Sequence, residues 1–345
     1  MTRALLGRIA VVSAVAVLAV GGLPGTSGAT TTPSGTLTEV RYGPFGLAPA
    51  GAGGDLDHAN VVLADVPKPC EDCYILSAVP DLVYPDGTSA NLDTGVMLHH
   101  AVFFNSGELD TTCGRDWFFR NLGERFLASG NERTARSFPS GYGYHLGTSP
   151  VNAVFHVMNH SDAPKTVFFS YKIRWVPASE ASGIRPVTPL WLDMNNCRDS
   201  EYSVPAGPSS SHWQWQSTVT GRIVWTAGHV HTGGVRTTLT NKSSGQHVCT
   251  AWASYGTKPA YMGTIESMST CVWDGLATLR AGDVLDLEGA YRASEPVPDA
   301  MAIMVAYIWE TPFPEGGTSA PPEASGNTAA PATSNPPSSH HHPHR

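Results

Sequence analysis

Short apolar runs and alternation, not helical periodicity, dominate the hydrophobic pattern of this chain. Segments rich in Val, Ile, Tyr, Phe, Trp and Thr recur at 60–66, 96–104, 153–158, 166–175, 222–227, 236–239, 284–291 and 301–309. Gly, Pro, Asn and Asp punctuate them, as expected of half-buried strands joined by turns. One stretch, 116–127, has the spacing of a short helix. Strands without intervening helices predict an all-β chain of antiparallel β-sandwich (jelly-roll-like) domains. A break is expected at 176–189, where prolines and small residues follow the strong strand ending at Trp175. The reading is therefore an N-terminal sandwich over 30–178 and a C-terminal sandwich over 185–312.

The two ends differ from this texture. Arg3 and Arg8, an apolar stretch over 9–20 and the small residues Ser27-Gly28-Ala29 read as a secretory signal over 1–29. That stretch is short for a membrane span, and no cysteine follows the cleavage point to carry a lipid, so a secreted chain with no membrane anchor is expected. Residues 313–345 are rich in Gly, Ser, Thr, Ala, Pro and His, bury too little apolar surface to offset ordering, and are expected to be disordered. A formal charge of −8 without any Lys/Arg cluster makes nucleic acid and anionic membranes poor partners.

Six cysteines in an exported chain read as disulfides. Cys249 and Cys271 flank a hairpin region and are the first pair expected. Cys70 and Cys73 read as ends of two separate structural bridges.

The candidate chemistry lies in histidines. His229 and His231 are two apart between Gly228 and Gly233-Gly234, so on a strand they project from one face, as two metal ligands must. His99 and His100 are adjacent, and adjacent strand residues face opposite ways unless a bulge intervenes. His156 or His160 offers a further ligand. Met301 and Met268 are alternative thioether donors, each also explicable as core. Imidazole with thioether favours copper, because soft sulfur suits Cu(I). His58, His212 and His247 have no partner in sequence, and His145 reads as a loop or supporting residue.

Leu98-His99-His100, His156-Val157-Met158-Asn159, His229-Val230-His231 and Asp299-Ala300-Met301 follow in order and resemble the copper type II, ascorbate-dependent monooxygenases. Those are the peptidylglycine α-hydroxylating and dopamine β-monooxygenase group. Tyr84-Pro85-Asp86-Gly87-Thr88, His99 to Asn105, Gly228 to Gly234 and Met268-Ser269-Thr270-Cys271 are similar to the stress up-regulated Nod 19 family. The first resemblance implies two copper sites, one of His99, His100 and His156 and one of His229, His231 and Met301. It implies ascorbate as reductant and hydroxylation of a C–H bond with O2, on a small-molecule or peptide substrate that the sequence does not name. It also favours Met301 over Met268. Two positions depart from that group's pattern: Ala101 follows the paired histidines where methionine is usual, and Ala302 follows Met301 where cysteine is usual. The competing expectation is an exported β-sandwich protein that binds copper without turnover, as a stress or surface-interaction protein.

Overall fold

Buried side chains at every second position make Thr36–Leu47 a strand from Thr38 through Val40 to Tyr42, and a register irregularity after Tyr42 resets the alternation at Phe45 and Leu47. The computed structural model describes residues 35–50, 61–115, 119–256, 258 and 263–311. The leader, the tail, His58 and part of the candidate helix lie outside them. Among the described residues there is no α-helix, only single 3-10 turns at Leu92–Thr94 and Ala178–Glu180. The all-β expectation holds. The helix expectation does not: its described second half enters the strand Glu124–Ser129, which pairs with Val96–Asn105. There Phe126 and Leu127 add to a neighbouring sheet's core, and tertiary pairing overrides the local spacing.

Two sheets form the N-terminal half. One runs Thr36–Leu47, Lys165–Pro177, Cys73–Val83, Tyr142–Leu146 and Arg185–Pro186, the last two paired in parallel. The other runs Val61–Leu63, Val151–Asn159, Val96–Asn105 and Glu124–Ser129. Tyr42, Phe103, Phe155, Phe169 and Tyr171 interlock between them as tilted and edge-on aromatic pairs. The C-terminal half has a four-stranded sheet of Thr188–Asp193, Ala302–Glu310, Gly221–Val230 and Thr270–Leu279. Beside it lie a five-stranded sheet from Gly207–Gln216 to Ile265–Met268 and a small ribbon of Tyr202–Val204 with Val297–Ala300.

The four-stranded sheet is apolar on both faces, which is why 301–309 reads as an unbroken apolar run. Ala302, Met304, Ala306 and Ile308 join the C-terminal core, while Trp225, Ala227 and Tyr307 join the N-terminal one. Arg136 of the N-terminal half sits over the Trp225 and Tyr307 rings, 4.8 Å from each centroid. The architecture is thus several antiparallel sheets sharing buried faces, not a clean pair of separate jelly rolls.

All six cysteines are paired. Cys249–Cys271 is bonded as expected. Cys70 and Cys73 bond to each other, correcting the expectation of two separate bridges, since the chain between them folds back far enough to close the short loop. Cys113–Cys197 ties the N-terminal half to the segment following Thr188–Asp193.

Candidate metal centre

The sheet faces decide where the histidines go. In Val96–Asn105 the core receives Val96 and Leu98, then Ala101 and Phe103. Two residues separate Leu98 from Ala101, and the register against Val151–Asn159 shifts at that point. This bulge turns both His99 and His100 to the outer face, where their rings lie 4.0 Å apart. His156 is opposite His100, on the outer face of a strand whose Ala153, Phe155 and Val157 point inward. His229 and His231 extend the Trp225 and Ala227 side of Gly221–Val230, so they face the N-terminal half.

All five imidazoles meet in this seam, half-buried. His99 Nδ1 lies 2.8 Å from His156 Nδ1, and His100 Nε2 lies 3.2 Å from His231 Nε2. Two triads, His99–His100–His156 and His100–His229–His231, each bring their ring nitrogens within 4.8 Å of one another. The two ligand groups expected far apart in sequence thus form one contiguous cluster that shares His100. Of the alternatives left open, His156 is in the cluster. His160 follows the strand end, is exposed and belongs to neither triad.

The two methionines are separated by the central sheet. A side chain at Gly228 would strike the Met268 methyl, so Met268 packs on the face away from His229, in the C-terminal core. Met301 lies on the histidine side, buried with Trp191 and Ile303 and against Val102 of the His100 strand. Ala101 and Ala302 are completely buried and point into the two cores, away from the histidines. The two departures from the monooxygenase pattern therefore leave the histidine face unaltered. His145, His212 and His247 pair elsewhere, with Asp72, Asp286 and Thr250.

Two partners fix the tautomers of the H-x-H pair. His231 Nδ1 is 2.6 Å from the Asp299 carbonyl, which can only accept, so Nδ1 carries the proton and Nε2 keeps a lone pair. His229 Nδ1 is 3.1 Å from Glu132 Oε1, with the same consequence. His229 Nε2 is then buried with no hydrogen-bond partner, an orphaned acceptor aimed into the cluster. Tyr291 braces the pair: its hydroxyl accepts from the His231 amide at 3.0 Å and donates to the Met301 carbonyl.

Sequence inspection did not single out Glu132. Its segment follows Glu124–Ser129 as a turn in which the Gly130 amide donates to Glu132 and Asn131 reaches the Ile265 carbonyl. Nothing in the local pattern says that this turn meets a histidine 97 residues away.

Electrostatics disfavour a positive charge on His99, His100 and His231. Burial first, then repulsion from His231, His156 and their neighbours, pushes His99 down to about 2. Burial and the adjacent imidazoles hold His100 well below the ordinary histidine range. His231 falls to about 4, through burial and then His229, against the opposing pull of Asp299. Burial alone would raise the Glu132 carboxyl, but His229 and backbone amides outweigh it and hold it low. Five clustered imidazoles, three of them held from protonation, with an orphaned Nε2 and a carboxylate anchoring one ring, fit a transition metal that prefers nitrogen donors.

Residues 151–311, which include His156, His229, His231 and Met301, match the model of the stress up-regulated Nod 19 family. A Phoma sp. protein named probable copper-dependent oxygenase M1 is 25% identical over 290 residues, covering 78% of this chain and 72% of that protein. Probable copper-dependent oxygenase clz3 of Cochliobolus lunatus is 26% identical over 246 residues, covering 66% of this chain and 77% of its own. Among solved structures, PBCV-1 VP54 fitted into a reconstruction of the virophage Sputnik aligns with a TM-score of 0.26 and 10% identity over 79% of this chain and 93% of its own, too low to assign a fold. The resemblance read from the motifs is thus borne out: the chain is similar to the stress up-regulated Nod 19 family over residues 151–311, and over most of its length to fungal proteins named probable copper-dependent oxygenases.

Proposed function

We propose that this chain is an exported copper-dependent monooxygenase that hydroxylates a C–H bond of a small-molecule or peptide substrate with O2, using ascorbate as reductant. The observation that carries the reading is the convergence of five imidazoles from three strand segments of both halves, with Met301 on the same side of the sheet. The names of the two fungal relatives support the metal and the oxygen chemistry. Three disulfides agree with an oxidising compartment. In this reading the halves are two jelly-roll-like sandwiches that share the central sheet, and the cluster holds two coppers.

One oxygen atom of O2 enters the substrate as hydroxyl and the other leaves as water, so each turnover consumes two electrons and two protons from ascorbate. Bound copper supplies the one-electron redox chemistry that makes O2 reactive towards C–H. The chain's own residues do the rest. Burial and mutual repulsion keep His99, His100 and His231 unprotonated at neutral pH, with lone pairs available. Glu132 and the Asp299 carbonyl hold the Nδ1 protons of His229 and His231 and orient both rings. Tyr291 fixes the spacing of the His231 and Met301 backbones.

The test is copper loading and desalting, followed by oxygen uptake with ascorbate. Retained copper with ascorbate-dependent uptake, abolished in His229→Ala, supports the enzyme. Retained copper that stays inert across candidate peptides and amines supports a binding protein without turnover. No retained copper refutes both.

A further inference from the structure

We propose that the H-x-H centre takes its third imidazole from the other half of the molecule: His229, His231 and His100 form one site through their Nε2 atoms, and His99 with His156 forms the other. The inference rests on the copper reading above and regroups its ligands. The paired histidines are thus divided between two sites rather than serving one.

Three features converge on this grouping. The first is tautomeric. Glu132 and the Asp299 carbonyl occupy Nδ1 of His229 and His231, so only their Nε2 atoms remain to ligate, and His229 Nε2 is buried without a partner. The second is distance. Two nitrogens bound to one metal at about 2 Å, with angles between square and tetrahedral, sit about 2.8–3.3 Å apart. His100 Nε2 and His231 Nε2 are separated by 3.2 Å, and His99 Nδ1 and His156 Nδ1 by 2.8 Å. Each pair already has the spacing of neighbouring ligands, and the two pairs use different ring nitrogens.

The third feature is ring placement. Apart from its chain neighbour His99 at 4.0 Å, the His100 ring stands nearest to His231, stacked at 5.3 Å and 22°, and to His229 at 5.4 Å, whereas His156 is 6.2 Å away. His99 meets His156 edge-on at 4.4 Å, closer than its 5.0 Å approach to His231. The bulge between Leu98 and Ala101 makes the division possible, because both histidines face the seam and each has its shortest nitrogen–nitrogen approach to a different strand, His99 to His156 and His100 to His231. A shared metal would also fasten the seam, since its ligands come from strands on both sides.

The experiment uses the full chain loaded with Cu(II), and reads metal content and electron paramagnetic resonance for the wild type and five single variants. These are His99→Ala, His100→Ala, His156→Ala, His229→Ala and His231→Ala, with His100→Gln as a near-isosteric companion. Far-UV circular dichroism verifies folding of each. The expected result is that His100→Ala and His100→Gln lose the same copper signal as His229→Ala and His231→Ala. His99→Ala and His156→Ala should keep that signal. The inference is overturned, with the copper reading intact, if the His100 variants lose the signal shared by His99→Ala and His156→Ala and keep the H-x-H one. Absence of copper from the folded wild type overturns the copper reading and the inference together. Zinc titration of the same variants, read by calorimetry, gives the grouping without any oxygen chemistry.

Discussion

Gly130→Ala is the most discriminating perturbation of the Glu132–His229 contact, because it alters neither residue. A β-carbon at position 130 would lie 2.5 Å from Glu132 Oε2, 2.7 Å from His229 Cε1 and 2.9 Å from His229 Nδ1. Relaxing these to an ordinary contact of about 3.5 Å requires the carboxylate and ring to move by roughly 0.6–1 Å. Metal–ligand distances in well-formed sites lie within about 0.2 Å of their standard values, a range these movements exceed. The expected result is a copper affinity about 10–100-fold weaker, the range for losing a partner that orients a metal-bound histidine. That corresponds to about 1.4–2.8 kcal/mol. The assay is competition for Cu(I) against a chromophoric chelator, with urea denaturation of the metal-free protein as the folding control. Gly147→Ala is the neutral comparison, since nothing lies within 4 Å of its added carbon. An affinity for Gly130→Ala within about twofold of wild type, in a folded protein, would refute the assigned role of this contact.

Glu132→Gln keeps an acceptor for the His229 Nδ1 proton and is expected to hold copper far better than Glu132→Leu, as read by the same competition. Tyr291→Phe frees the His231 amide and Met301 carbonyl together and is expected to cost about 1–3 kcal/mol in urea denaturation, with altered copper resonance parameters. Cys113–Cys197 spans 84 residues and Cys249–Cys271 spans 22. Chain entropy gives about 4.5 against about 3.4 kcal/mol, so replacing the first pair by serine should lower the denaturation midpoint more. Metal-free stability should fall as pH drops below the ordinary histidine value of 6.5, because unfolding lets His231 (about 4 when folded) and His99 (about 2) take up protons. Glu124, raised to about 8 by burial, opposes this: its contribution is present below 4.5 and lost as pH rises through 8. Glu124→Gln should therefore steepen the acid loss seen in urea titrations at pH 7 and pH 5.

Local pattern made much of the fold and the site legible. Short β-branched and aromatic runs located strands now seen at Val96–Asn105, Val151–Asn159, Lys165–Pro177, Gly221–Val230 and Val284–Ala293. The period of two placed His229 and His231 on one face, and the same rule showed that His99-His100 required a bulge, which the register shift supplies. The segment over 116–127 misled, because its helical spacing carries no information about the strand edge that its second half joins. Cys70 and Cys73 misled for a related reason: closure of so short a loop depends on local backbone path, not on spacing.

The sequence by itself therefore determined the all-β class and the strands that carry the candidate donor side chains, since these follow from side-chain chemistry and the alternation of a strand. Tertiary structure decided what no local rule encodes. A central sheet buried on both faces turns His229, His231 and Met301 toward the N-terminal half and Met268 away from it. The packing of that sheet against the outer face of Val96–Asn105 merges two expected ligand groups into one cluster. It also brings Glu132 to His229 across 97 residues of chain. Such meetings arise from how faces stack, and stacking is set by the burial of whole sheets rather than by any short stretch of sequence.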